Sequence, residues 1–230
     1  MLAIVLWKIG FEFANLRAAF ASKEQPTVWY FGYGANLDPQ ILRDRFIIPR
    51  RAQEFELKDF ELTFSQPGPW KGMGFGSVES APGKSVYGKL YELRSIDAKR
   101  MDYYEAVPFL KRYMRVWSKA DDIRFYFYQS RFPRTGLRPS KRYLGLIVNN
   151  LKISSHVPAA YLQELEQIST VDELEICRDL ELSLKTYPWM PSVFREIVRS
   201  VDRRILWIYV NIFRRYSLTE RLLRYRLNRN

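Results

Sequence analysis

A chain of 230 residues with 47% hydrophobic and 16% aromatic content can bury a sizeable core, which excludes a disordered or low-complexity protein. One cysteine, Cys177, and one histidine, His156, exclude an intrachain disulfide, a histidine-rich metal site and any Ser-His-Asp triad that does not use His156, and point to a reducing compartment. The net charge of +12 is uneven: residues 161–181 carry seven acidic residues against one basic, and residues 182–230 carry eleven basic against three acidic.

In chain order, Leu2, Val5, Leu6, Ile9, Phe13, Leu16 and Phe20 recur at helical spacing, which predicts an amphipathic helix over 2–21. Lys8, Glu12 and Arg17 interrupt it and exclude a membrane span. Ala19-Phe20-Ala21 mimics a signal-peptidase site, but no basic segment precedes it, which argues against secretion. The helix therefore packs on the domain or lies at a membrane surface, and Ser22 to Thr27 is a linker.

Val28 to Tyr33 has no polar break and reads as a strand buried on both faces. It stops at Gly34-Ala35-Asn36, and Asp38-Pro39 is a helix start, an N-cap acceptor followed by proline at the first helical position. In such a strand, turn and helix, glycine lets the backbone approach a ligand, and the N–H groups are ready for an oxyanion or carboxylate. The same pattern also serves as a plain structural turn.

Ala52 to Ser65 alternates as a strand through Phe55, Leu57, Phe60, Leu62 and Phe64. Pro67-Gly68-Pro69 and Gly72-Met73-Gly74 mark turns. Gly74 to Glu79 and Ser85 to Leu93 read as a hairpin across Pro82-Gly83, and Ser95 as the cap of a helix from Ile96 to Ala106. Lys111 to Trp117 and Ile123 to Gln129 read as a second hairpin around Asp121-Asp122, and Ser140 to Ile153 and Pro158 to Ile168 as helices. His156, just before Val157-Pro158, takes a structural or solvated role. The order predicts an α+β fold. Zinc-ligand spacing and a phosphate-binding lysine loop are missing from the sequence, and Gly72-Met73-Gly74-Phe75-Gly76 leads into a strand rather than the helix a dinucleotide fingerprint requires.

Tyr33-Gly34-Ala35-Asn36-Leu37 resembles the Tyr-Gly-Ser-Asn-Leu signature of γ-glutamylcyclotransferase-like domains, which include AIG2-like and BtrG-like proteins. Val86 to Tyr91, Met101 to Val107, Tyr113, and Pro139-Ser140 ahead of Tyr143 follow in that family's order, so the resemblance spans roughly residues 27–170. It departs at Ala35, where the family has serine. The resemblance implies a small mixed β-barrel with flanking helices. Residues 1–26 would then be an N-terminal helix and linker, 27–170 the domain, and 171–230 a charged helical extension.

The activity implied is cyclisation of a γ-glutamyl group to 5-oxoproline with release of an amine or amino acid, requiring no cofactor or metal. The tethered amine lets geometry do much of the catalysis, and one carboxyl group can carry the proton in both directions. By resemblance Glu105 is that acid/base, and Tyr33, Gly34, Ala35, Asn36, Leu37, Tyr113 and Tyr143 hold the substrate, the turn through its backbone N–H groups. Read from its neighbours alone, Glu105 is either an exposed helix-end glutamate or a carboxyl that Tyr103, Tyr104, Ala106, Val107, Pro108, Phe109 and the negative helix end disfavour as a bare carboxylate, and Tyr113 and Tyr143 read equally as ordinary aromatic core. The alternative is a non-catalytic AIG2-like scaffold that binds γ-glutamyl ligands, which Ala35 keeps open.

Arg131, Arg134, Arg138, Lys141 and Arg142 near Tyr126 and Tyr128 form a basic run without an RNA-binding motif. A solvated loop, or a rim attracting an acidic substrate, is favoured over nucleic acid. From Phe194 to Asn230 there are ten arginines and three acidic residues interleaved with apolar positions at helical spacing. That pattern suits peripheral contact with an anionic membrane, or packing on the core or a second subunit in a homodimer. The expected location is cytoplasmic, with peripheral membrane contact open.

Overall fold

The structure is a computed structural model and describes residues 2–22, 24–68, 72–171 and 217–227. Five strands, β1 (Thr27–Gly32), β2 (Arg51–Pro67), β3 (Gly74–Arg94), β4 (Tyr113–Ala120) and β5 (Ile123–Ser130), form one mixed sheet in the order β2-β3-β1-β5-β4. The central β1 runs antiparallel to β3 and parallel to β5. Its alternation sends Tyr30 to one face, with Tyr91, Tyr126, Tyr128 and Met101, and Phe31 to the other, with Leu57, Val86, Leu90, Phe125 and Phe127. Both faces are buried, which is why the strand tolerates no polar break.

Helix α2 (Pro39–Asp44) and helix α3 (Ser95–Tyr104) cover the Tyr30 face through Leu42, Ala98 and Met101. Helices α4 (Lys141–Lys152) and α5 (Ala159–Glu166) pack around Leu37 and Phe64. Asp38 caps α2 as expected, accepting from the Gln40 N–H at 2.8 Å, and Ser140 caps α4, accepting from the Tyr143 N–H at 3.2 Å. Exposed His156 meets Tyr87 edge-on, in keeping with its structural or solvated reading.

Four expectations are corrected. The sheet is open at β2 and β4 and does not close into a barrel. Where the first half of β3 approaches β5, side chains replace a ladder: Gln129 Nε2 donates to Val78 O at 2.8 Å and the Ser130 N–H donates to Ser77 Oγ at 2.9 Å. The hairpin across Pro82-Gly83 is instead a bulge within one strand, because both flanks pair with β2, Lys58 opposite Ser85 and Phe60 opposite Ser80. Gly83, at φ 79, donates its N–H to Asp59 Oδ1 at 2.9 Å and pins the bulge. Ser95 does not cap α3 but is its first residue. Arg94 holds the cap position without a side-chain cap bond and donates instead to Asp97 Oδ2 at 2.7 Å.

The fourth correction concerns helix α1 (Leu2–Phe20), which exists but turns the opposite face inward. Trp7, Phe11, Ala14, Asn15 and Ala18 are buried, whereas Ile9 and Phe13 are 61% and 60% exposed. The inward face lies against α3 and against helix α6 (Leu218–Leu227). Polar bonds set this choice. Trp7 Nε1 donates to Tyr103 O at 2.9 Å, and Asn15 Oδ1 accepts from the buried Arg100 Nε at 2.8 Å. Among the described residues no helix is long and apolar enough to cross a membrane. Cys177, the acidic residues from Asp172 to Glu181 and the arginine-rich stretch as far as Tyr216 lie outside the described residues.

Candidate active site

Two helix ends meet above the Tyr30 face of the sheet. Helix α2 ends at Arg45, followed by left-handed Phe46 (φ 53). The Phe46 N–H returns to Arg43 O at 2.8 Å and the Ile47 N–H to Leu42 O at 2.9 Å. Helix α3 ends in the same way at Glu105, followed by left-handed Ala106 (φ 54). Here the Ala106 N–H returns to Tyr103 O at 3.1 Å and the Val107 N–H to Asp102 O at 2.9 Å. This paired-bond termination holds each cap residue's backbone in place. It brings a guanidinium and a carboxylate face to face.

Arg45 Nη1 donates to Glu105 Oε1 at 3.1 Å and to Asn36 Oδ1 at 2.7 Å. Asn36, buried in the turn after β1, spends both Nδ2 protons, one on Glu105 Oε1 at 3.0 Å and one on the Tyr30 hydroxyl at 2.7 Å. Glu105 is therefore not set among apolar groups alone, as its sequence neighbours suggest. Oε1 holds two donors, while Oε2 has no hydrogen-bond partner among the described residues. The Arg45 guanidinium also lies 4.7 Å from the centre of the Tyr104 ring. Buried Arg100 fixes the Arg45 backbone by donating to Arg45 O at 2.6 Å and to Phe46 O at 3.0 Å.

Tyr33, Gly34, Ala35, Asn36, Glu105, Tyr113 and Tyr143 all line one cleft of about 260 Å³, large enough for an amino-acid-sized group. Leu37 does not join them. It is fully buried in the core with Leu144, Ile147 and Leu151. Residues not read from the sequence complete the lining, chiefly Tyr30, Arg45, Gly76, Arg112 and Tyr128. Gly76 belongs to the Gly72-Met73-Gly74-Phe75-Gly76 run, and its glycine is the signal the sequence offers. Arg45 carried none, because only the fold brings it to Asn36.

The turn after β1 uses its own donors. The Leu37 N–H bonds Gly34 O at 3.0 Å and the Asp38 N–H bonds Ala35 O at 3.1 Å. Tyr143 stands over this turn: its hydroxyl accepts from the Gly76 N–H at 3.1 Å. Gly34 and Gly76 make this approach possible, since a Cβ on either would sit 2.9 Å or 3.0 Å from the Tyr143 hydroxyl. Burial pushes the Tyr143 phenol up to about 12, against the opposing pull of the Gly76 N–H. Burial likewise drives Tyr30, Tyr33 and Tyr113 well above the ordinary phenol value. The cleft is thus walled by neutral hydroxyls. Tyr33 donates to Tyr128 O at 2.5 Å and Tyr113 to Gly76 O at 2.9 Å, whereas the Tyr143 proton has no acceptor among the described residues. Asp102, one turn before Glu105, is raised by burial despite its ion pair with Arg115.

The open mixed sheet with its flanking helices is the γ-glutamylcyclotransferase-like fold. A solved structure described as a gamma-glutamyl cyclotransferase superposes with a TM-score of 0.54 at 22% identity, over 76% of this chain and 99% of that one. An uncharacterized protein from Homo sapiens superposes with a TM-score of 0.53 at 23% identity, over 63% of this chain and 89% of that one. YkqA from Bacillus subtilis gives 0.51 at 14% identity, over 64% of this chain and 57% of that one. No sequence-family model matches the chain, and no curated protein sequence matches it at a significant level.

Proposed function

We propose that this protein is a γ-glutamylcyclotransferase-like enzyme that closes a γ-glutamyl group to 5-oxoproline and releases an amine or amino acid. The observation that carries the reading is the state of Glu105. Asn36 and Arg45 clamp Oε1, and Oε2 is left to exchange a proton inside a small cleft of neutral tyrosines. In the reaction, Oε2 takes a proton from the substrate's α-ammonium, and the freed amine attacks the side-chain carbonyl. The tetrahedral oxyanion draws on the Tyr143 hydroxyl, whose own proton is uncommitted among the described residues. Glu105 then returns the proton to the leaving nitrogen as the C–N bond breaks, and the second proton of the ring nitrogen passes by the same carboxyl group to the released amine, which leaves as an ammonium, so one carboxyl group serves as base and then acid. Arg45 and Arg112, both lining the cleft, supply positive charge for the substrate's α-carboxylate.

The test is incubation of the purified protein with a panel of γ-glutamyl amino acids, peptides and amines, followed by assay of 5-oxoproline. Release from one class of compound supports the reading, and no release from any of them contradicts it. The second reading is a binding scaffold, favoured by Ala35 where the related signature has a serine hydroxyl. Binding of γ-glutamyl compounds by calorimetry without 5-oxoproline would support it.

A further inference from the structure

Helix α1 carries apolar residues on two opposite faces, and among the described residues only one packs against other helices. At about 100° per residue, Trp7, Phe11 and Ala18 project toward α3 and α6, and Val5, Ile9, Phe13, Leu16 and Phe20 project the other way. That second set forms a stripe along the helix, with Ile9, Phe13 and Phe20 each about 60% exposed. Scattered apolar residues are ordinary on a protein surface, but a continuous stripe marks a binding surface.

The charge beside the stripe says what it binds. Helices α1 and α6 hold two acidic residues, Glu12 and Glu220, and of their basic residues Lys8 pairs with Glu12 and Arg224 lies over the Phe46 ring, while Arg17 and Arg226 stand beside the stripe. Both acids are already engaged: Glu12 accepts from Ser217 and Thr219 and pairs with Lys8, and Glu220 accepts from the Tyr104 hydroxyl. Arg226 lies directly on the stripe, its guanidinium 4.2 Å from the centre of the Phe20 ring, and exposed Arg17 flanks it on α1. Exposed Tyr225 adds an aromatic group suited to the headgroup level.

We infer that the outer face of α1, rimmed by Arg17 and Arg226, docks on an anionic lipid bilayer. The helix lies in the headgroup plane with Ile9, Phe13 and Phe20 inserted, as basic amphipathic helices do. Inserted phenylalanines and isoleucine leave water, while the arginines meet lipid phosphates. A second copy of the chain is the poorer occupant, because pairing two such faces would bring the arginines of each against those of the other.

The test uses the full chain and vesicles of phosphatidylcholine, with or without phosphatidylglycerol. Cosedimentation should be strong with the anionic vesicles, weak with the neutral ones and reduced by salt. Phe13→Ser and Ile9→Ser should each weaken binding by about tenfold without lowering the melting temperature, because both side chains lie in solvent. Arg17→Gln combined with Arg226→Gln should remove the preference for anionic lipid. No binding by the wild type overturns the inference. So does binding unchanged in Phe13→Ser, which would assign it to another part of the chain. A dimer in sedimentation velocity that dissociates in Phe13→Ser, without vesicle binding, would overturn it in favour of a second copy.

Discussion

Replacing Arg45 by methionine removes the guanidinium, and with it the contact with the Tyr104 ring, while keeping an unbranched side chain of similar length. The change deletes the Nη1 bonds to Glu105 Oε1 at 3.1 Å and to Asn36 Oδ1 at 2.7 Å. Hydrogen bonds to charged groups contribute about 1.5–3 kcal/mol each. The two charged side chains retain 13% and 18% of their exposure, so water recovers part of the loss. At the low end of that range the two bonds sum to about 3 kcal/mol, and recovery by water brings the expected cost of Arg45→Met to about 2 kcal/mol of stability. In a Glu105→Gln background the partner is neutral, and the same change should cost about 1 kcal/mol. The expected coupling between the two positions is thus about 1 kcal/mol, measurable by urea unfolding of the wild type, both single variants and the double variant. Additive effects, with a coupling within about 0.3 kcal/mol of zero, would refute the ion pair as the element that fixes Glu105. Arg45→Lys should recover only part of the stability, because a point charge cannot reproduce the guanidinium's planar contact with Tyr104.

Tyr143→Phe removes both the acceptor for the Gly76 N–H and the uncommitted donor over the turn, and should lower kcat/KM by about 10²-fold at a stability cost of about 1 kcal/mol. Unchanged steady-state kinetics would show that this hydroxyl does not face the reacting carbonyl. Burial works against ionisation of Glu12, but hydrogen bonds from Lys8, Thr219 and Ser217 outweigh it and hold its carboxyl below the usual 4.5. Its stabilising contribution is accordingly full above the unfolded value and lost as the pH falls through the lowered folded one. Glu12→Gln should therefore flatten the acid limb of a melting series taken from about pH 7 to about pH 3, and an unchanged acid limb would remove Glu12 as the link between α1 and α6.

What the sequence made legible was local. Asp38-Pro39 and Ser140 act within one turn of themselves, so their capping roles can be read directly, and the alternation from Phe55 to Phe64 needs only one partner strand. Glu105 was legible as a helix-end carboxylate because the helix and its end are written in adjacent residues. Its surroundings were not. Arg45 reaches Glu105 only because two helices terminate alike and point their caps at each other, a relation between positions 60 residues apart. The inward face of α1 is hidden in the sequence for a related reason: its outer apolar stripe is the larger one, yet Asn15 and Trp7 find partners on α3, and those bonds decide which face turns in. A proline-glycine turn signal is the same for a hairpin and for a bulge, and only the pairing of both flanks with β2 separates them. Leu37 belongs in sequence to the turn it follows, whereas the three-residue helix of Ala35–Leu37 rotates it into the core.

The central claim is that Glu105 moves the proton in ring closure, and it is tested most directly by Glu105→Gln. Glutamine keeps the size of the side chain and can still accept from Asn36 and Arg45, but it cannot exchange a proton. With a γ-glutamyl compound that the wild type turns over, the variant should still bind the substrate in calorimetry while 5-oxoproline release falls by about 10²–10⁴-fold. Release at the wild-type rate would contradict the account.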